Sequence, residues 1–226
     1  MNKIFQVSTV KALEAGYLKP IINVEELLCH GDTGIGMFEN ADGEMVIIDG
    51  KCYRLKDDGN SERVNVKSGV TFASIAYMNL YRQFAFSAVD GLKKLESDLS
   101  VEVEENFGLN SIHMARIDGL FERITVNSQS AVLTHHIPLS ESEAGTRKTY
   151  EYENMKGSLI CVYFPDYLQG INDPGWHIHF LNWNHSLGGH VTDLKMKYAD
   201  VNLVKLNAIE TWLPHDAAYD TYSLTD

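Results

Sequence analysis

From Gly34 onward the chain alternates apolar and polar residues with a period of two, and the alternation is repeatedly broken at turn-forming residues. IGMFE, a turn at NADG, EMVII, a turn at DG, and KCYRL follow one another as a meander of short antiparallel strands. ERVNV and TFASIAYM extend the pattern, and IHMARIDG, LFERITV, SLICVYFP, WHIHFL, HVTDLKM and VNLVKL resume it further on. Period-two segments send side chains to opposite faces, so a chain dominated by them must fold as sheets that each bury one face. Helical spacing is confined to a few places. Ser8 can cap a TVKALEA segment that Gly16 ends, and Asn23 with Glu26 has the spacing of a capping box ahead of ELLCH. Leu92, Leu95 and Leu99 mark a longer helix over about Val89 to Glu105. Helices grouped apart from strands predict an α+β fold, mainly antiparallel sheet in two packed parts, with the metal site described below on β-strands. The polar stretch Glu141–Asn154 reads as a mobile loop. A weak boundary within Glu141–Gly157 divides an N-terminal α+β part (1–145) from a C-terminal β part (146–226), unless the two form one integrated domain.

Composition narrows the function classes. At 226 residues, with 44% hydrophobic and 22% charged residues, the chain can bury a globular core. Its net charge of −12 and the lack of a basic stripe argue against nucleic acid as a partner. A small anionic substrate stays open, because a metal in a pocket overrides the global sign. Cys29, Cys52 and Cys161 are scattered, with no CxxC spacing, which fits a reducing compartment. No apolar run reaches the roughly 18–20 residues of a membrane span, and the N-terminus lacks the apolar centre of a signal peptide. The expectation is a cytoplasmic protein without a membrane partner. There is no GxGxxG after a strand, no P-loop and no GxSxG, so an NAD or ATP cofactor or a serine nucleophile is not expected.

The chemistry-bearing pattern is a histidine constellation. Alternation within WHIHFL places His177 and His179 on one face of a strand, with Ile178 and Phe180 on the other. A Gly-rich connection, NWNHSLGG, leads to His190 at the head of the next strand. If the two strands form a hairpin, three imidazoles meet with coordination positions left open, as in catalytic rather than structural sites. Zinc is the first choice, although imidazole also suits copper, iron and nickel. His185 competes for the third place but sits at a loop tip, which holds a ligand less rigidly than a strand start. Glu44 opens the strand EMVII and by alternation shares a face with Val46 and Ile48. Spacing alone favours an exposed carboxylate at the strand mouth over one pointing inward. Asp32, Asp42, Asp49 and Asp118 adjoin glycines and read as turn residues.

Together these segments resemble the acetolactate decarboxylase family. GDTGIGMFENADGEMVIIDGKCYRL (31–55) is similar to the family's glycine-rich early block, and MARIDGLFERI (114–124) to its central strand pair. GSLICVYFPDYLQGI followed by GWHIHFLNWNHSLGGHVTDL (157–194) resembles its metal-binding block, with His190 eleven residues after His179. The resemblance runs from about residue 4 to 214. It implies zinc on His177, His179 and His190, a catalytic Glu44 at the metal, and a homodimer. The implied reaction is decarboxylation of 2-acetolactate, or a related 2-hydroxy-3-oxo acid, to acetoin and CO2.

Two departures stand against the pattern. The family's substrate-side arginine aligns with Asn127 in ITVNSQ, and the Pro-Tyr that follows it there appears here as His135-His136. A carboxylate that the family carries on a C-terminal tail has no counterpart before Asp226. Losing a bidentate carboxylate partner predicts reduced activity, unless Arg116, Arg123, His135 or His136 takes its place. The alternatives are metal-dependent isomerase or oxygenase chemistry on a small keto or hydroxy acid, and a non-catalytic metabolite-binding descendant.

Overall fold

A computed structural model describes residues 2–132, 137–143 and 146–224. The chain begins with a strand, β1 (Lys3–Val7), which the helix-like reading of the first thirty residues overlooks. Helix α1 (Val10–Glu14) follows, capped by Thr9 rather than Ser8: the Thr9 hydroxyl accepts from the Ala12 N–H. After β2 (Ile22–Asn23), helix α2 (Val24–Leu27) starts at the expected capping box, with Asn23 and Glu26 bonded reciprocally. The meander then runs β3 (Thr33–Phe38), β4 (Glu44–Ile48), β5 (Lys51–Leu55), β6 (Ser61–Arg63) and β7 (Gly69–Ala76).

Next come β8 (Arg82–Asp90), α3 (Leu92–Asn106), β9 (Ile112–Ser128), α4 (Leu139–Glu143) and β10 (Lys148–Phe164). The chain ends with β11 (Gly175–Asn182), β12 (Gly188–Leu206) and β13 (Ala208–Trp212). Val89, assigned to the helix on spacing, belongs to β8, and Gly91 at φ +103° makes the turn into α3. The polar segment read as a loop is largely the first half of β10, where Tyr150 and Tyr152 share a face.

Two sheets result. The first has the order β13-β1-β7-β3-β4-β5-β6, with β2 beside β7 and β13 parallel to β1. The second has the order β11-β10-β9-β12-β8, and β11 also pairs with β12, so those four central strands close into a ring. The chain passes from the first sheet to the second between β7 and β8. The candidate boundary within Glu141–Gly157 falls on α4 and the first ten residues of β10.

Between the sheets lies one buried cluster. It takes Ile4, Ile35, Val46 and Leu55 from the first sheet and Met114, Ile160, Val162 and Leu181 from the second. On the far side of the second sheet, α3 packs Leu95, Leu99 and Val103 against Ile117, Leu159, Ile178 and Phe180. Alternation along β10 and β11 therefore sends every second residue into the seam between the sheets, and that seam is where the histidines go.

Candidate metal centre

Register explains how the three imidazoles meet. On β11, His177 lies opposite Val162 and His179 opposite Ile160, both seam residues, while Ile178 and Phe180 face α3. The hairpin places His190 directly across from His179. His177 Nε2 is 3.2 Å from His179 Nε2 and 3.1 Å from His190 Nδ1. All three ligand atoms lie within 4.8 Å of one another.

The donor set fits a divalent cation. Tetrahedral ligands at the zinc–nitrogen bond length of about 2.0–2.1 Å are spaced by about 3.3 Å, and two of the three pairs, at 3.2 and 3.1 Å, stand near that spacing. The Met45 carbonyl can only accept, so His179 Nδ1, 2.9 Å away, must donate to it. Burial holds His179 neutral, so its Nε2 presents a bare lone pair to the other two rings. Burial also pushes His177 down to about 4, and His190 to about 3 with help from His177 and Arg147. A shared proton can satisfy one pair of facing nitrogens, whereas a cation satisfies all three. These three histidines could hold a metal ion.

Glu44 comes from the other sheet. Its side chain is only 13% exposed, and its Oε2 lies 3.6 Å from His179 Nε2. The carboxylate therefore points inward, against what spacing alone favours, because β4 runs along the seam and Val46 and Ile48 on the same face belong to its core. Glu44 and the three histidines line one cavity of about 310 Å³, whose apolar wall includes Leu13, Ile35, Met37 and Phe72.

Other candidates lie elsewhere. His185 Nδ1 bonds the Tyr53 hydroxyl at 3.1 Å and lines a different pocket with Arg116. Arg116 is held by Asp49 and Asp118, and Arg123 by Asp193 and Glu151; neither lines the metal cavity. His135 and His136 lie outside the described residues. Of the aspartates expected in turns, Asp32 accepts from the Thr33 hydroxyl and from the distant Met78 N–H, and Asp42 pairs with Arg54. Asp118 sits mid-strand rather than in a turn, opposite Ser158.

Asn127 does line the cavity, opposite His190 on β12, and its Oδ1 accepts from the Thr149 hydroxyl at 2.9 Å. Sequence reading missed Glu14, Arg147 and Asp173, which also line it. Partial burial pushes the Asp173 carboxyl up. The alternating tyrosines of TYEYEN could have exposed Arg147 as a residue at a strand entry. Glu14 and Asp173 carry no comparable local signal.

The model of the alpha-acetolactate decarboxylase family matches residues 4–226. Among curated relatives, the alpha-acetolactate decarboxylase of Methanosarcina mazei is 32% identical over 88% of this chain and 68% of its own length. That of Methylococcus capsulatus is 30% identical over 96% of this chain and 82% of its own. The crystal structure of alpha-acetolactate decarboxylase from Bacillus subtilis strain 168 superposes with a TM-score of 0.93 at 26% identity, covering 99% of this chain and 94% of that one. With the family model spanning nearly the whole chain and the fold matched throughout, this chain belongs to the alpha-acetolactate decarboxylase family.

Proposed function

We propose that the protein decarboxylates 2-acetolactate to acetoin and CO2, with a divalent metal, zinc first, on His177, His179 and His190 and Glu44 as the catalytic carboxylate. The observation that carries this reading is the convergence of a three-imidazole set from one sheet and an inward carboxylate from the other on a single cavity.

The reaction consumes one proton: the bond to the carboxylate carbon breaks, its electron pair moves towards the neighbouring ketone, and a proton must reach the carbon left behind. When bound, the metal supplies a Lewis acid that draws that electron pair towards the oxygens of the substrate. The rest falls to the chain. The Met45 carbonyl fixes the His179 ring and its tautomer, which keeps the donor set rigid. Leu13, Ile35 and Phe72 give the same cavity an apolar lining, which lowers the local dielectric and strengthens electrostatic interactions inside. Glu44, held beside His179, is placed to hold the proton and pass it to the carbon.

The test is to load purified protein with zinc, add 2-acetolactate and measure acetoin and CO2 alongside metal content. Equal amounts of both products are expected, and the activity disappears on chelation and returns with metal. A fully loaded protein that makes no acetoin overturns the reading. The homodimer that the resemblance implies belongs to the same proposal, and sedimentation of the purified protein tests it.

A further inference from the structure

The cavity has an electrostatic problem. Its wall carries the carboxylates Glu14, Glu44 and Asp173, in a chain of net charge −12, yet the proposed substrate is itself a carboxylate. Among the described residues that line it, Arg147 is the single side chain with a permanent positive charge. Its position is set by strand pairing. Arg147 stands two residues before Thr149, which is paired with Asn127 on β9 and bonded to its side chain. Asn127 in turn lies opposite His190, and Asn127, His190 and Arg147 line the same cavity. Arg147 therefore reaches the cavity from the β10 side of Asn127, and neither Arg116 nor Arg123 lines it.

We propose that Arg147 binds the carboxylate of the substrate, supplying from the entry of β10 the cation that Asn127 on β9 does not provide. The inference rests on the decarboxylase reading for the identity of the substrate but not for the existence of the anion site. A guanidinium offers two parallel N–H donors to a carboxylate, and such charge-assisted pairs outlast the solvent competition that weakens a lone ammonium. Anchored there, the carboxylate is held at the side of the cavity facing His190, and the hydroxyl and ketone are left free to turn towards the three imidazoles.

The experiment uses the zinc-loaded full chain and two inert probes, 2-hydroxy-2-methylpropanoate and its neutral amide, with binding measured by calorimetry. Arg147→Gln is expected to weaken the acid roughly ten- to hundredfold and the amide by less than about twofold. Arg147→Lys should keep part of the affinity for the acid, and Arg147→Gln combined with Asn127→Arg should recover much of it. Unchanged zinc content and circular dichroism in each variant exclude a folding defect. Equal effects on acid and amide, no effect on either, or no binding of the acid by the parent protein overturns the inference. The two proposals separate cleanly. Acetoin production without the acid–amide difference leaves the decarboxylase standing and removes Arg147, and the difference without acetoin does the reverse.

Discussion

At the scale of single residues, the site depends on which ring nitrogens are bare. His179 is committed by its bond to Met45, which leaves its Nε2 bare, and His177 and His190 are each held neutral by burial, so each can turn a lone pair towards the same point when a cation takes the place of a shared proton. Replacing His177 or His190 with Ala should reduce bound metal from about one ion per chain to near zero, whereas His185→Ala should retain it. Elemental analysis of the three variants decides the matter; metal lost with His185 would move the third ligand to the loop. Glu44→Gln is expected to keep the metal and lower kcat by about a hundredfold or more, in the range usual for a positioned acid–base group. A kcat within twofold of the parent would remove Glu44 from the proton path. The histidines were legible because alternation fixes a face and a glycine pair predicts a hairpin. The inward turn of Glu44 was not, since it depends on which strand of the opposite sheet lies across the seam.

At the scale of elements, the second sheet is built from strands longer than their sequence pattern advertises. IHMARIDG and LFERITV are one strand, β9, and HVTDLKM and VNLVKL are one strand, β12. Gly119 looks like a turn residue in the sequence but lies mid-strand, between Gly157 on β10 and Ala199 on β12. This row of small residues lets the strands cross closely. A Cβ built on Gly119 would come within 2.5 Å of both the Tyr198 carbonyl oxygen and the Ala199 Cβ. Backbone cannot yield as a side chain can, so Gly119→Ala should destabilise the fold by about 1–3 kcal/mol. A urea titration should show a lower midpoint at unchanged slope; an unshifted midpoint would mean that β9 and β12 separate there at little cost. Glycine thus misleads a sequence reading in this sheet, because its missing side chain serves close approach rather than a positive φ.

At the scale of the whole molecule, polar ties between the sheets join residues distant in sequence. Besides the link from His179 to Met45, the Ser128 hydroxyl donates to the Leu55 carbonyl, and the Tyr150 and Tyr152 hydroxyls donate to the carbonyls of Asp57 and Gly59. Each strand was readable, but these pairings, like the parallel seat of β13 beside β1, come from sheet order and leave no local trace. Packing on this scale also buries imidazoles that the chain must keep neutral. His113 is fully buried between Phe107 and Tyr163, and its Nε2 donates to the Gly108 carbonyl. Burial, aided by Lys205 across the strand pair and opposed by the Gly108 bond, brings it down to about 4. In the unfolded chain the same ring titrates at 6.5. Below that pH the unfolded state takes up the proton first, so stability is full above about 6.5 and falls as the pH drops towards 4. His113 alone should cost about 2 kcal/mol between pH 7 and pH 5, and His177 and His190 add similar losses in metal-free protein. Glu96 and Asp173, whose carboxyls are pushed up by burial, act in the opposite direction and soften the fall at its acid end. Urea midpoints of chelator-treated protein at pH 7, 6 and 5 should therefore decline steadily. His113→Phe keeps an aromatic ring beside Phe107 and Tyr163 and removes the titrating group, so it should flatten the decline by about one proton's share. A decline identical in parent and variant would show that His113 takes up its proton in the folded state as readily as in the unfolded one.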